Sequence, residues 1–286
     1  MPSLIDIRRR IRSVKNMQQI TKAMKMVSAA KLRRAQERTI AARPYSEILN
    51  RMLANVAAAA TSNEDAAQHP LLAVREEKRI QLVLVTSDSG LAGAFNANLL
   101  RLAHRYVDEN ADKDIRIEAL GRKGRDYFKR RNRNLTGEYV GIVDRPKYED
   151  AHAIAQKLID RYSNAEVDAV YLCVNEFKNV MAPNLVFRRV LPVTLPESAQ
   201  TIDYIYEQPP EELLAALLPR YVEVQLYRAL LESNSAYHAA RMTAMDAASS
   251  NAGDMIDALT LNMNRVRQAK ITREIIEIVS GAAAAS

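Results

Sequence analysis

The stretch that decides the fold is residues 217–266, LLPRYVEVQLYRALLESNSAYHAARMTAMDAASSNAGDMIDALTLNMNRV. Taken as heptad a and d positions from its first residue, eleven of fifteen are apolar. The fifteen positions are Leu217, Tyr221, Val224, Arg228, Leu231, Ser235, His238, Met242, Met245, Ser249, Ala252, Ile256, Leu259, Met263 and Val266. A sustained repeat of 3.5 residues indicates a coiled-coil seam. We therefore expect one helix from Pro210 to Ser286, approaching ~100 Å in length.

The first sixty residues carry a matching helical pattern. Apolar residues recur there at intervals of three and four, at Leu4, Ile7, Ile11, Val14, Met17, Ile20, Met24 and Val27. Ser3 is placed to cap this helix, and Asp6 lies where a negative charge favours the helix dipole. Pro44 is expected to kink the helix or end it, because proline has no N–H and crowds the preceding turn.

Two long amphipathic segments at opposite ends of one chain pair most economically with each other, in antiparallel orientation. The alternative is two independent helices that cap a globular core. The pair is favoured, because a middle domain of modest size cannot bury a seam of this length. We assign residues 1–75 to the N-terminal helix, 76–200 to a central α/β domain and 201–286 to the C-terminal helix. The predicted fold class is thus α/β plus a long antiparallel α-helical coiled coil.

The central region changes its periodicity to that of alternating strands and helices. Buried strands are predicted at Ile80–Thr86, Ile115–Leu120, Val167–Phe177 and Leu185–Val193, the last two antiparallel to each other. Helices are predicted at Leu91–Asn110, after the segment Gly121–Gly124 through Arg131, and at Asp150–Ser163. This alternation is typical of a small α/β layer with a mainly parallel sheet.

The positive charge is concentrated at the N-terminal end. The formal net charge of the chain is +7. Residues 1–45 contain twelve lysines and arginines against two acidic residues, Asp6 and Glu37. Such a stripe indicates an acidic or polyanionic partner, although a merely solvated face is equally compatible with it. A basic coiled-coil protein that binds nucleic acid is the alternative, and the absence of stacking aromatics in this segment counts against it.

No catalytic, cofactor-binding or metal-binding pattern emerges from the residues. The turn after the first strand, Ser87–Asn96 (SDSGLAGAFN), has glycines in the right context but lacks both common phosphate-loop patterns. Asp88 is interpreted as a cap on the following backbone. The four histidines are scattered, and the single cysteine, Cys173, lies in an apolar strand as a small buried hydrophobe. The sequence shows no hydrophobic signal segment and no run long enough to cross a bilayer.

The C-terminal ITREIIEIVSGA, Ile271–Ala282, is a helical segment with isoleucines along one face. This segment closely resembles the C-terminal signature of the gamma subunits of F-type ATP synthases. The resemblance extends over the whole chain, in order and spacing, through Ile20–Ala30, Arg43–Tyr45, Thr86–Asn96, Arg220–Tyr227 and Ala239–Met245. One departure is Ala92, where many members have a cysteine, so no thiol-dependent property carries over. The paired regulatory cysteines of chloroplast members are also absent, and no transit peptide is seen, which points to a bacterial protein.

The resemblance implies a non-catalytic rotor subunit with a Rossmann-like α/β domain inserted between the paired helices. In that family the subunit is the central stalk, which rotates inside a ring of alpha and beta subunits. Its foot rests on the membrane ring of c subunits together with epsilon. Rotation couples proton flow through the c ring to ATP synthesis or hydrolysis on the beta subunits. No cofactor and no nucleic acid is expected on this chain, and its membrane association is expected to be indirect, at the cytoplasmic face of the bacterial plasma membrane.

The resemblance also implies contact residues for these partners. Met24 and Lys25 correspond to positions that face an acidic loop of the beta subunit. Arg241 and Gln268 correspond to polar positions that hydrogen-bond a beta-subunit loop near the upper shaft. The foot contacts to the c ring and epsilon correspond to Tyr204, Tyr206 and Glu207. Each of the first four also fits an ordinary role on the seam or flank of a coiled coil.

Overall fold

The computed structural model describes residues 3–60, 69–179, 184–195 and 208–285, with side chains up to residue 59 in the first range and residue 280 in the last. Five helices and five strands follow one another in these ranges, together with a single 3₁₀ turn at Pro70–Leu72. They are α1 (Leu4–Ala60), β1 (Arg79–Val85), α2 (Phe95–Glu109), β2 (Asp114–Leu120), α3 (Arg122–Lys129), β3 (Leu135–Tyr139), α4 (Tyr148–Ser163), β4 (Ala169–Glu176), β5 (Asn184–Leu191) and α5 (Pro210–Ala285).

The C-terminal helix, Pro210–Ala285, has the predicted length, and the N-terminal helix covers Leu4–Ala60. The capping prediction is confirmed, because the Ser3 Oγ accepts a hydrogen bond from the Asp6 N–H at 3.2 Å while the Asp6 carboxylate accepts from the Ser3 N–H at 3.3 Å. Pro44 was expected to kink the first helix or end it; it does not end it, since α1 continues through it to Ala60. Proline removes one N–H bond, but the helical residues on both sides continue the same amphipathic pattern. α5 likewise contains Pro219.

The chain divides into two compact units, and each terminal helix contributes to both. The first unit comprises the described residues up to Ser28 and those from Met242 onward. Its two segments are antiparallel: the Lys25 Nζ lies 2.6 Å from the Asp246 carboxylate, and the Gln18 side chain donates to the Ser249 carbonyl at 3.3 Å. Partner numbers thus rise as the α1 numbers fall, which confirms the predicted antiparallel pair.

The second unit, Ala29–Arg241, contains a five-stranded sheet. The strand order is β3-β2-β1-β4-β5, and all neighbours are parallel except β4 and β5. The antiparallel last pair is as predicted. β3 was missed by the sequence analysis, because an edge strand with Thr136 and Gly137 at its centre has no continuous apolar run, and none of its five residues is fully buried. The domain boundaries at residues 75 and 200 stay a prediction.

Both faces of the sheet are covered, as the apolar run of β1 requires. Leu82 and Leu84 point into a core with α2 and α3, whereas Val83 and Val85 point into a larger core with α4 and α5. Cys173 lies in the smaller core, where burial raises the pKa of its thiol to about 12. It is a small buried hydrophobe, as predicted.

The step from β2 into α3 depends on a glycine. Gly121 has φ +108°, and its N–H donates to the Tyr139 carbonyl at 2.7 Å. A Cβ at this position would lie 2.1 Å from the carbonyl oxygen of Thr86, the residue that follows the central strand β1. This close approach lets the turns after β1, β2 and β3 lie together at one edge of the sheet.

Replacing Gly121 with alanine is therefore expected to destabilise the second unit by ~3 kcal/mol or more, through backbone strain and a clash that no side-chain movement relieves. Urea or thermal unfolding measures the effect. Gly90→Ala is the matched control, because the nearest atom to its added Cβ is 3.9 Å away and the substitution should cost little. Equal unfolding midpoints for the two variants would contradict the assigned role of Gly121.

A buried carboxylate joins the start of β1 to the start of β4. Asp168 accepts hydrogen bonds from the Arg79 Nη2 at 2.7 Å and from the Arg79 backbone N–H at 2.8 Å. The hydrogen bonds from the Arg79 side chain, together with those from the backbone, hold the pKa of Asp168 below its ordinary value although burial opposes this. The Asp168 carboxyl thus binds its proton more weakly in the folded chain than in the unfolded chain. Its contribution to the free energy of unfolding is therefore fully present above the ordinary pKa of an aspartate, and it is lost as the pH falls through the lowered pKa of the folded state.

Asp168→Asn should lower the free energy of unfolding at neutral pH by about 1–2 kcal/mol, since Arg79 is partly exposed and screened. Below about pH 4, where the wild-type contribution fades, the difference between the two proteins should narrow. Unfolding curves over pH 2–7 (roughly the titration range of carboxyl groups) measure this. Asp160→Asn, at an exposed position of α4, is the control for the charge change. A difference that did not depend on pH would argue against the linkage.

Candidate functional site

The carboxyl edge of the sheet is where an α/β domain usually binds ligands. Ligands bind at the point where the strand order reverses, which here lies between β1 and β4. Tyr237 of α5 fills this place: its ring packs edge-to-face on Phe95 at 5.7 Å, and its hydroxyl donates to the Gly90 carbonyl at 3.4 Å. Ala92 and Ala236 complete the apolar cluster. The glycine-containing turn is thus packed against the terminal helix.

Asp88 holds this edge together. One carboxylate oxygen accepts from the Arg122 N–H at 2.8 Å, and the other accepts from the Gly141 N–H at 3.0 Å. The carboxylate therefore caps backbone, as the sequence indicated, but the backbone belongs to the turns after β2 and β3 and not to its own turn. Ser87 is fixed by Asn96, whose side-chain oxygen accepts from the Ser87 N–H at 3.1 Å. Asp88 and Ser87 therefore both have structural roles, because each is hydrogen-bonded within the turns at this edge of the sheet.

The predicted contact residues Met24 and Lys25 lie in the first unit on α1. Met24 is half-buried, and its carbonyl accepts from the Ser28 Oγ at 2.8 Å. Lys25 forms an ion pair with Asp246 in which the side chains are 41% and 60% exposed, respectively. An exposed pair of this kind contributes little to stability and is readily exchanged for another anion. Lys25 is therefore placed on the surface with a weak internal partner.

Gln268 and Arg241 differ in their surroundings. Gln268 is an exposed residue of α5 in the first unit. Arg241 belongs to the second unit, where its Nη1 donates to the Tyr237 hydroxyl at 3.1 Å. Its Nε is buried and has no hydrogen-bond partner among the described residues. The predicted foot contacts Tyr204, Tyr206 and Glu207 lie outside the described residues.

The basic stripe of α1 is largely free of internal partners. Of the twelve lysines and arginines before residue 45, only Lys25 and Arg33 form salt bridges within the part of the chain that the structure describes. The stripe is therefore a surface of uncompensated positive charge, which favours an acidic partner over a self-contained network.

A group of buried polar residues that the sequence did not predict lies where α1 and α5 meet in the second unit. The hydroxyls of Thr39 and Ser235 are hydrogen-bonded at 3.0 Å, and the Asn234 side chain donates to the Val143 carbonyl at 2.7 Å. His238, one turn further, is 3% exposed. The available signal was the polar interruption of the heptad seam at Ser235 and His238, which marks positions that need partners.

Two negative findings concern the described residues. No helix in those ranges is both long and apolar enough to cross a membrane. No group of three or more histidine, cysteine, aspartate or glutamate residues is arranged there to hold a metal ion.

Comparisons with known proteins show similarities that extend over nearly the whole chain. The family model described as ATP synthase matches residues 3–285. The ATP synthase gamma chain of Solibacter usitatus is 63% identical over 285 residues and covers 100% of both chains. The gamma chain of Pelotomaculum thermopropionicum is 49% identical, with 99% of each chain covered.

Solved structures agree with this result. A central stalk and c-ring structure of the Tetrahymena thermophila mitochondrial ATP synthase matches with a TM-score of 0.63 at 27% identity, over 80% of this chain and 99% of that one. A chain of the Euglena gracilis mitochondrial ATP synthase shares the fold, with a TM-score of 0.68 at 17% identity, over 98% of this chain and 94% of that one. The protein therefore belongs to the family of ATP synthase gamma chains.

Proposed function

We propose that this chain works as the rotating central shaft of a bacterial F-type ATP synthase, a non-catalytic subunit that couples proton flow through the c ring to ATP synthesis or hydrolysis on the beta subunits. The observation that carries the proposal is the full-length similarity to gamma chains at up to 63% identity among the relatives compared. The antiparallel terminal helices are the structural counterpart of that role. The partners are the alpha and beta subunits around the shaft, epsilon, and the c ring.

The mechanism requires a shaft whose faces differ. A rotor can shift a beta subunit between its empty, loose and tight states only if its contacts with these states differ in free energy. Contacts of equal free energy would leave the equilibrium between the states unchanged. The uncompensated basic stripe of α1 supplies one such asymmetric face. As the shaft turns, each beta subunit meets the stripe in turn, and the acidic beta loop provides the complementary charge.

Within this mechanism, Met24 and Lys25 are the proposed contacts to the acidic beta loop. The weak, exposed pair between Lys25 and Asp246 supports this, since the loop can take the place of Asp246 at little cost. Arg241 and Gln268 are the proposed hydrogen-bond donors to a second beta loop. Arg241 is only half-buried, and its guanidinium is oriented by Tyr237. Tyr204, Tyr206 and Glu207 are proposed foot contacts on family similarity alone.

We place the protein at the cytoplasmic face of the bacterial plasma membrane, held there through the c ring as a peripheral component. The bacterial origin of the two gamma chains described above supports this location. The chain itself is proposed to bind no cofactor, with the nucleotides on its partners. The alternative function, a basic coiled-coil protein that binds nucleic acid, is not supported by the family assignment.

Mixing the full chain with purified alpha and beta subunits should yield a stable complex of a hexamer with one shaft, and ATP hydrolysis should appear on assembly. Native mass spectrometry and a coupled hydrolysis assay measure the two outcomes. Omission of the chain is the control. Alpha and beta subunits that neither bind the chain nor gain activity would refute the proposed function.

Met24→Lys should impair coupling more than assembly, because it adds a cation opposite the acidic loop and strengthens that contact in every rotary state. The measurement is the number of protons pumped per ATP hydrolysed in membranes that carry the assembled complex. Met26→Lys is the matched control: it introduces the same charge on a side chain that is 61% exposed and lies about 200° further around the helix. If both variants pumped as efficiently as the wild type, the Met24 contact would be wrongly assigned.

A further inference from the structure

A small cavity of about 180 Å³ lies in the second unit between α1, the segment before α4, and α5. Positive charge dominates its lining, with a single carboxylate among four cations. The lining residues are Lys31, Arg34, Ala35, Arg38, Asp144, Arg145, Asn234 and His238. The cations come from two different elements, so they approach the cavity from more than one side.

All four cations are exposed, and Asp144 is the one acidic residue that lines the cavity with them. None of Lys31, Arg34, Arg38 and Arg145 forms a salt bridge within the described ranges. Their neighbour Arg33 faces elsewhere and pairs with Glu37 at 3.2 Å. Mutual repulsion of uncompensated cations is unfavourable, and a bound anion relieves it.

His238, which lines the cavity, also carries a buried polar atom without a partner. His238 is 3% exposed, and its Nδ1 is buried with no hydrogen-bond partner among the described residues. Burial, and then the nearby charges of Lys31 and Arg241, lower the pKa of this ring to about 4. The imidazole is therefore neutral at physiological pH and can present an N–H. A buried donor of this kind is unfavourable unless something accepts from it.

The loop that carries Arg145 is held in place by the same turn of α5. The Asn234 side chain donates to the Val143 carbonyl at 2.7 Å and to the Asp144 carbonyl at 3.3 Å. Both bonds are largely shielded from water, since Asn234 is 6% exposed. The backbone of this segment is thereby fixed before any ligand arrives, which reduces the ordering cost of binding.

We propose that this cavity is a binding site for a phosphate-type oxyanion. Guanidinium groups from α1 and from Arg145 hold the oxyanion from different sides, because their planar N–H pairs match phosphate oxygens. His238, which also lines the cavity, offers it the imidazole on the buried side. A tetrahedral oxyanion accepts from all these directions, whereas a carboxylate on a partner's chain offers only two oxygens at the mouth. The inference adds a ligand site to the proposed shaft and does not depend on rotation.

The test is a titration of the full-length chain with inorganic phosphate at constant ionic strength, followed by calorimetry and by ¹⁵N NMR of histidine-labelled protein. The chain has four histidines, so His238→Gln assigns the relevant signal. The expected result is saturable binding at one site with a shift of the His238 ring-nitrogen resonances. A parallel titration with ADP distinguishes free phosphate from the phosphate of a nucleotide: tighter binding of ADP would identify the nucleotide as the source.

The arginine variants make the test specific. Arg34→Gln and Arg145→Gln should each weaken phosphate binding by about tenfold or more, since each removes a charge-assisted contact. Arg33→Gln is the matched control, because it removes the same charge from the adjacent residue outside the cavity and should leave binding unchanged. Circular dichroism verifies that each variant is folded.

Three outcomes would overturn the proposal. The first is the absence of saturable phosphate binding by the folded wild-type chain. The second is an equal loss in the Arg33 variant and the cavity variants, which would mean unspecific attraction to positive charge. The third is binding of an acidic peptide at this cavity without any binding of phosphate.

Discussion

The burial of α5 on all its sides between Val222 and Ala239 is the constraint on which the rest of the second unit depends. Of these eighteen residues, only Tyr227 and Arg228 are not fully buried. One side of the helix packs with the sheet through Val222, Leu226 and Leu230, and another contacts α1 at Ser235. A helix that is enclosed all round is part of a core. The same segment of α5 therefore belongs both to the coiled coil and to the core of the α/β domain.

Enclosure makes a buried polar residue of this segment unfavourable unless it has a partner, and several find partners in three directions, although the Ser233 Oγ and the His238 Nδ1 have none among the described residues. Ser235 bonds to Thr39 of α1, Asn234 bonds to the loop before α4, and Tyr237 reaches the turn after β1. Glu223 is 3% exposed; burial opposes its charge, but hydrogen bonds from α4 side chains hold its pKa below the ordinary value. Polar contacts of this kind fix the rotation and register of the helix, because each has only one matching position.

The first unit has the opposite character. Large apolar side chains remain exposed there towards the C-terminal end of α5: Ile271, Ile275, Ile276, Ile278 and Val279. An apolar surface of this extent marks a contact with another protein. For a gamma chain, the surrounding alpha and beta subunits supply that burial. The seam alone does not have to provide the stability of this part, which is consistent with its small residues such as Ala252 and Ser249.

The sequence by itself determined the elements and the family. A 3.5-residue repeat, a capping serine, strand-length apolar runs and the end signature are local patterns, so the antiparallel helices, four of five strands and the gamma-chain resemblance followed from them. Only the tertiary structure decided which polar residues on the seam are buried, that α1 continues through Pro44, and that β3 completes the sheet. It also brought Arg145 next to Arg34 and His238. These outcomes depend on partners distant in sequence, and the energy of a buried polar group is set by those partners and not by its neighbours along the chain.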